Sequence, residues 1–203
     1  QLVLVVGLGN REVTADALGP HVIEHLFVNR HVVMQFGTAA YRKEKMHRIS
    51  SLVPGVTAQT GMESAEIVRG VVEQTKPDFL IVVDALAARS TKRLNRTIQV
   101  SDSGIAPGSG VGNHRNALTK ESLGVPVIAV GVPTVVDAAT IVGDALERIE
   151  EECGIHVMAS REHPQALSEL NNMYVTGKDI DEMIRRLSYT VSEGINMALD
   201  MEG

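Results

Sequence analysis

Tryptophan is absent from this 203-residue chain, and its aromatic side chains are limited to three Phe and three Tyr. A ring-rich interior is therefore excluded, and the core has to be built from Val, Ile, Leu, Ala and Met. A single cysteine, Cys153, excludes an internal disulfide and any cluster of thiolate metal ligands, and no basic, apolar and small-residue leader precedes Leu2. A reducing cytoplasm is the expected compartment. Positive charge is in short supply, with 19 Lys and Arg against 25 Asp and Glu and a formal net charge of −6. Such a surface has no basic field to gather phosphates, so direct nucleic-acid binding is not expected. No uninterrupted apolar run of about 18 residues is available to span a bilayer, so no membrane partner is expected either.

What remains is a globular composition, 44% apolar and 22% charged, with 18 Gly for bends. The length fits one domain over residues 1–203. The chain opens on Gln1 rather than Met and reads as a processed or partial form. Leu2-Val3-Leu4-Val5-Val6 predicts a strand buried on both faces, and Phe79 to Val83 and Val125 to Val130 predict two more. His31 to Met34 is expected as a further strand, Gln35 to Ser50 as a loop, and Thr97 to Val100 as a half-exposed strand. Helical spacing is seen around Val22, Ile23 and Leu26, over Gly61 to Val72, and over Ile180 to Leu199. Thr134 with Asp137, and Thr176 with Asp179, have the spacing of capping boxes, the first opening a helix over Val135 to Ile149. Strands alternating with helices predict an α/β fold: three layers around a doubly wound, mostly parallel sheet, with its ligand site at the carboxyl ends of the strands.

Several motifs bear on what sits there. Gly7-Leu8-Gly9 follows a strand as a dinucleotide fingerprint does, but Glu12 stands where the third glycine belongs. The glycine-rich stretch from Gly104 to Asn113 has no lysine-serine pair after it and reads as a tightly turned loop. Cys153 lies beside Glu150-Glu151-Glu152, which raises a thiol pKa rather than activating it, and no Gly-x-Ser-x-Gly is present. His21-Val22-Ile23-Glu24-His25 spells H-x-x-E-H, and two histidines four apart share a helix face that could hold a metal; solvated helix surface is the alternative.

Two carboxylates form the stronger constellation. Asp84 closes an apolar strand, so burial should raise its pKa and keep a proton on it. Asp16 follows the first strand close to a helix start, whose dipole should keep it ionised. Carboxyl groups pushed in opposite directions suit general acid-base hydrolysis, one activating water and the other protonating the leaving group. The alternative is structural: a first-turn acid and a cap.

The blocks Gly7 to Asn10, Thr14 to Pro20, Val53 to Val56, Gln59 to Glu63, Lys76 to Asp78, Asp84 to Ser90, Pro107 to Asn113 and Gly131 to Thr140 together resemble the germination (spore) protease family of endospore-forming bacteria. The resemblance covers residues 2–34 and 51–146, with a looser likeness over Met173 to Leu199. It implies a phosphorylase/hydrolase-like sheet similar to that of hydrogenase maturation endopeptidases. It also implies an atypical aspartic endopeptidase that degrades small acid-soluble spore proteins in the spore core, cutting after glutamate. The proposed catalytic aspartates of that family match Asp16 and Asp84, with no cofactor and no metal, although a metal-assisted water is the runner-up. The family's protein is a homotetrameric zymogen with an N-terminal pro-segment, so an inactive form that binds peptide is the competing class. His21 and His25 match no functional histidine of the family.

Overall fold

The first apolar run forms strand β1 (Leu2–Gly7), and all six of its residues are buried. Its side chains alternate between two cores, as the two-residue period of a strand demands. In the computed structural model, which describes residues 1–107, 117–154 and 168–200, Val3 and Val5 pack on one face and Leu4 and Val6 on the other. From β1 the chain passes through a 3-10 turn (Thr14–Asp16) into helices α1 (Leu18–Glu24) and α2 (Arg30–Phe36). Strand β2 (Arg48–Leu52), a short helix α3 (Thr57–Thr60), helix α4 (Ser64–Thr75) and strand β3 (Phe79–Ala88) follow. Then come a 3-10 turn (Thr91–Arg93), strand β4 (Gln99–Ser101), helix α5 (Lys120–Leu123) and strand β5 (Val127–Asp137). Helix α6 (Ala138–Cys153), strand β6 (Tyr174–Val175) and helix α7 (Ile180–Asp200) come last, and two further 3-10 turns span Thr38–Tyr41 and Ser168–Asn172.

The strands lie in the order β2-β1-β3-β5-β4, with β6 also on β5. The β1–β2, β1–β3 and β3–β5 pairs are parallel, while β4 and β6 run antiparallel to β5. Leu18 and Val22 of α1 and Ile184, Val191 and Ile195 of α7 cover one face, and Ala65, Val68 and Val72 of α4 cover the other. This is the expected three-layer α/β arrangement. The chain goes from β1 to β2 on one side and then crosses to β3 on the other, so the strand order reverses between β1 and β3. A crevice opens beyond the strand ends at such a reversal.

Four local expectations are corrected. His31 to Met34 is helical, within α2, because a four-residue apolar run fits a helical turn as well as a strand and only Val33 of α2 is buried. The neighbouring strand is β2, which begins at Arg48 inside the stretch read as a loop. Buried Asn29 ties it down, donating to the His47 carbonyl at 3.0 Å and accepting from the Ile49 N–H at 2.7 Å. The first capping box also fails. β5 continues through Gly131 and Pro133 to Asp137, so Thr134 is a buried strand residue and α6 starts at Ala138. Asp137 itself is the cap, accepting from Thr140 N at 2.7 Å and from Thr140 Oγ1 at 2.8 Å. Nor does Thr176 cap α7, since its hydroxyl donates to the Thr134 carbonyl at 2.7 Å and stitches the β6 region to β5.

Candidate active site

The loop after β1 is shaped by close backbone approaches. A Cβ on Gly7 would lie 2.3 Å from the Gly19 carbonyl oxygen, so glycine lets α1 sit directly on the strand end. Gly9 has φ +113°, and a Cβ there would fall 2.0 Å from the Asp16 carbonyl oxygen. These contacts give both glycines of Gly7-Leu8-Gly9 a packing role. They also turn the loop back on itself, so that Asn10 N–H donates to Asp16 Oδ2 at 2.7 Å. The Leu8 N–H meanwhile donates to the Val83 carbonyl at 2.8 Å, which holds the root of this loop against β3 one residue before Asp84.

Asp84 lies within β3, opposite Gly131 of β5, and is only 7% exposed. Its Oδ1 accepts from the Ala85 N–H at 2.9 Å. Burial, and after it the negative charge of Asp16, push the Asp84 carboxyl up to about 7, against the opposing effect of that hydrogen bond. The expectation that Asp84 holds a proton readily agrees with this environment. The expectation for Asp16 does not. Burial raises its pKa above the ordinary carboxylate value, and the Asn10 hydrogen bond offsets only part of the rise. Asp16 closes a 3-10 turn two residues before α1, a helix of seven residues, so desolvation rather than a helix dipole governs it. The two carboxyl groups are thus pushed in the same direction, and Asp84 senses the charge of Asp16.

Both aspartates line one cavity of about 900 Å³. Thr134, Asp137, Arg89 and Arg93 share its wall. The Thr134 hydroxyl donates to the Ala15 carbonyl at 2.6 Å, fixing the residue before Asp16 to β5. Both carboxylate oxygens of Asp137 are occupied by Thr140, so its charge is committed to the α6 cap.

The other candidates lie apart from this pair. His21 Nδ1 sits 2.8 Å from Glu24 Oε2, which also accepts at Oε1 from Arg11 at 2.5 Å. The hydrogen bond from His21 holds Glu24 below its ordinary pKa. His25 instead packs edge-on against the Tyr189 ring at 5.8 Å. Among the described residues no three His, Cys, Asp or Glu side chains are gathered as a metal-holding group. Cys153 is exposed at the end of α6. Of the glycine-rich stretch, residues 108–113 lie outside the described residues.

The roles of Asn10, Arg89, Arg93 and Asp144 were not read from the sequence. Asp144 of α6 accepts at Oδ2 from Thr91 N at 2.7 Å, Thr91 Oγ1 at 2.7 Å and Ser90 Oγ at 3.2 Å, which pins the turn carrying both arginines. A signal existed for Arg89, which stands just past the strand that carries Asp84. None marks Asn10 or Asp144, whose roles depend on how distant segments fold together.

The model of one family, germination protease, matches residues 1–170. A germination protease of Caldanaerobacter subterraneus is 45% identical over 97% of this chain and 65% of its own length. Those of Halalkalibacterium halodurans and Bacillus subtilis are 54% and 46% identical, over 79% and 92% of this chain and 42% and 51% of theirs. The chain therefore spans up to about two thirds of the length of these relatives, 65% for the first. Among solved structures, the hydrogenase maturation protease HycI from Thermococcus kodakarensis aligns over 94% of this chain and 90% of its own, at 15% identity and a TM-score of 0.41. With a family model covering most of its residues and relatives above 40% identity, the chain belongs to the germination protease family.

Proposed function

We propose that this protein is an atypical aspartic endopeptidase that degrades small acid-soluble spore proteins in the spore core during germination, cutting after glutamate. In this reading it acts as a homotetramer. The observation that carries the reading is the pairing of buried Asp84 with Asp16 at the rim of one cavity, each raising its hold on a proton and Asp84 the more strongly. Family membership supports the reaction class, and the strand reversal between β1 and β3 supports the place.

The chemistry follows from the difference between the two carboxyls. Asp16, with its Asn10 hydrogen bond, is the more readily ionised and acts as general base. As the water oxygen bonds to the peptide carbonyl carbon, Asp16 takes a water proton and the carbonyl π pair moves onto oxygen. Asp84, still protonated near neutral pH, gives its proton to the amide nitrogen as the C–N bond breaks. Each carboxyl has then exchanged its role, and a proton passing from Asp16 to Asp84 by way of solvent restores the starting state. The low-dielectric rim favours this sharing, because two anions this close to one another are costly.

The test is incubation with a purified small acid-soluble spore protein, with the new termini identified by mass spectrometry. Cleavage after Glu, at a rate untouched by a chelator, is expected. Binding without turnover would favour a peptide-binding module, and chelator inactivation reversed by zinc would favour metal-assisted hydrolysis.

A further inference from the structure

The cavity wall carries two guanidinium groups with no carboxylate assigned to them. Arg89 immediately follows β3, and Arg93 closes the 3-10 turn Thr91–Arg93. Among the described residues neither forms an ion pair, although three aspartates line the same cavity. Each of those aspartates is engaged elsewhere: Asp16 with the Asn10 N–H, Asp84 with the Ala85 N–H, and Asp137 with Thr140. The turn that carries these exposed arginines is held in place. Asp144 anchors Ser90 and Thr91 between them, and the Asn95 N–H donates to the Pro133 carbonyl at 2.7 Å just beyond. Asp144 receives three hydrogen bonds at one oxygen, so its charge serves the turn.

We infer that Arg89 and Arg93 form the subsite that receives an acidic side chain of the peptide substrate and thereby set its specificity. This assignment rests on the peptidase reading and adds to it the residues that select the substrate. Guanidinium groups present planar pairs of donors that match a carboxylate, which makes arginine the suitable residue for this task. Asp16 and Asp84 stand where β1 and β3 meet, whereas the arginines follow the end of β3. Asp137 lines the arginine end as well, but its carboxylate is taken up by the α6 cap, which leaves the guanidinium groups to hold an acidic side chain. Arg89 stands five positions after Asp84, about 16 Å at ~3.3 Å per strand residue. Side chains of arginine and glutamate reaching toward each other close most of that span, so the selected acid lies within a few residues of the bond above Asp84.

The carboxylate could belong to an internal side chain or to a free C-terminus; the internal side chain is the one assigned here. A set of short C-terminally amidated peptides separates them, each with one internal Glu at a different position and each with a Gln counterpart. Cleavage is followed as kcat and KM, and binding of fluorescently labelled versions is followed by anisotropy. For the wild-type protein, Glu at one position should be preferred over Gln by about tenfold in kcat/KM, mainly through KM. Arg89→Gln with Arg93→Gln should abolish that preference, and Arg89→Lys with Arg93→Lys should restore part of it. A Glu-over-Gln ratio that survives in the Gln variants, with both peptides slowed together, would overturn the assignment. So would a preference that appears only with a free C-terminal carboxylate. If no peptide is cut, the peptidase reading fails by itself, and the assignment stands or falls on whether the Glu-over-Gln ratio in binding is lost in the Gln variants.

Discussion

Replacing Asp84 by Asn should make the protein more stable at alkaline pH. In the folded chain burial and the nearby Asp16 hold the Asp84 carboxyl at about 7, whereas in the unfolded chain it titrates near the ordinary 3.8. Below pH ~4 both states are protonated, and the group costs nothing. Between ~4 and ~7 the folded state keeps a proton that the unfolded state has released, so stability falls as pH rises, and above ~7 the full cost is present. At about 1.4 kcal/mol per pH unit the gap corresponds to roughly 4 kcal/mol, an upper bound because local relaxation and water entry relieve part of it. Asn keeps an oxygen to accept the Ala85 N–H and carries no charge. Urea unfolding of wild type and Asp84→Asn at pH 5 and pH 8.5 reads the effect directly. About a third of the gap is already present at pH 5, where the unfolded carboxyl has ionised, and the variant should be ahead by about 2–4 kcal/mol at pH 8.5, or roughly 4–16 °C in Tm for a chain of this size. A difference that does not change with pH, or a variant less stable at pH 8.5, would refute the buried high-pKa carboxyl.

Two further predictions concern the supports of the site. Asp137→Ala should cost ~0.5–2 kcal/mol of stability through loss of the α6 cap, with Thr140→Val acting on the same cap and only modest effects on turnover; a large fall in kcat at unchanged Tm would instead place Asp137 in the chemistry. Gly9→Ala should disrupt the loop that brings Asn10 to Asp16, because the added Cβ meets backbone oxygen at a φ of +113°. Its cost is expected to exceed ~1 kcal/mol, and stability and activity equal to wild type would show that the close approach is not needed.

The parallel core was legible because its signal is local. Leu2 to Val6, Phe79 to Val83 and Val125 to Val130 are apolar without interruption, and only strands covered on both faces tolerate that. Both β3 and β5 run further than those stretches, through Asp84 and through Gly131 and Pro133, where polar or turn-forming residues break the pattern while ladder pairing continues. The Thr134 and Asp137 spacing was misleading for the same reason: it fits a capping box, yet the strand extends far enough to move the cap to Asp137 and Thr140. The sequence singled out Asp16 and Asp84, but Asp84 lies within β3, four residues before its end, rather than closing the strand, and Asp16 closes the 3-10 turn that follows β1. The direction of the Asp16 pKa could not be read, since it depends on burial by segments distant in the chain.

The central claim is that Asp16 and Asp84 work as one unit, and a double-mutant cycle of cleavage rate tests it most directly. Asp16→Asn, Asp84→Asn and the double variant would be compared with wild type on a Glu-containing spore protein at saturating concentration, after unfolding curves show that each is folded. Each single variant should lose nearly all of kcat, on the order of 10³-fold or more, and the double variant should lose little beyond that, because removing either member already disables the pair. Full activity in either single variant, or losses that multiply in the double, would contradict the account.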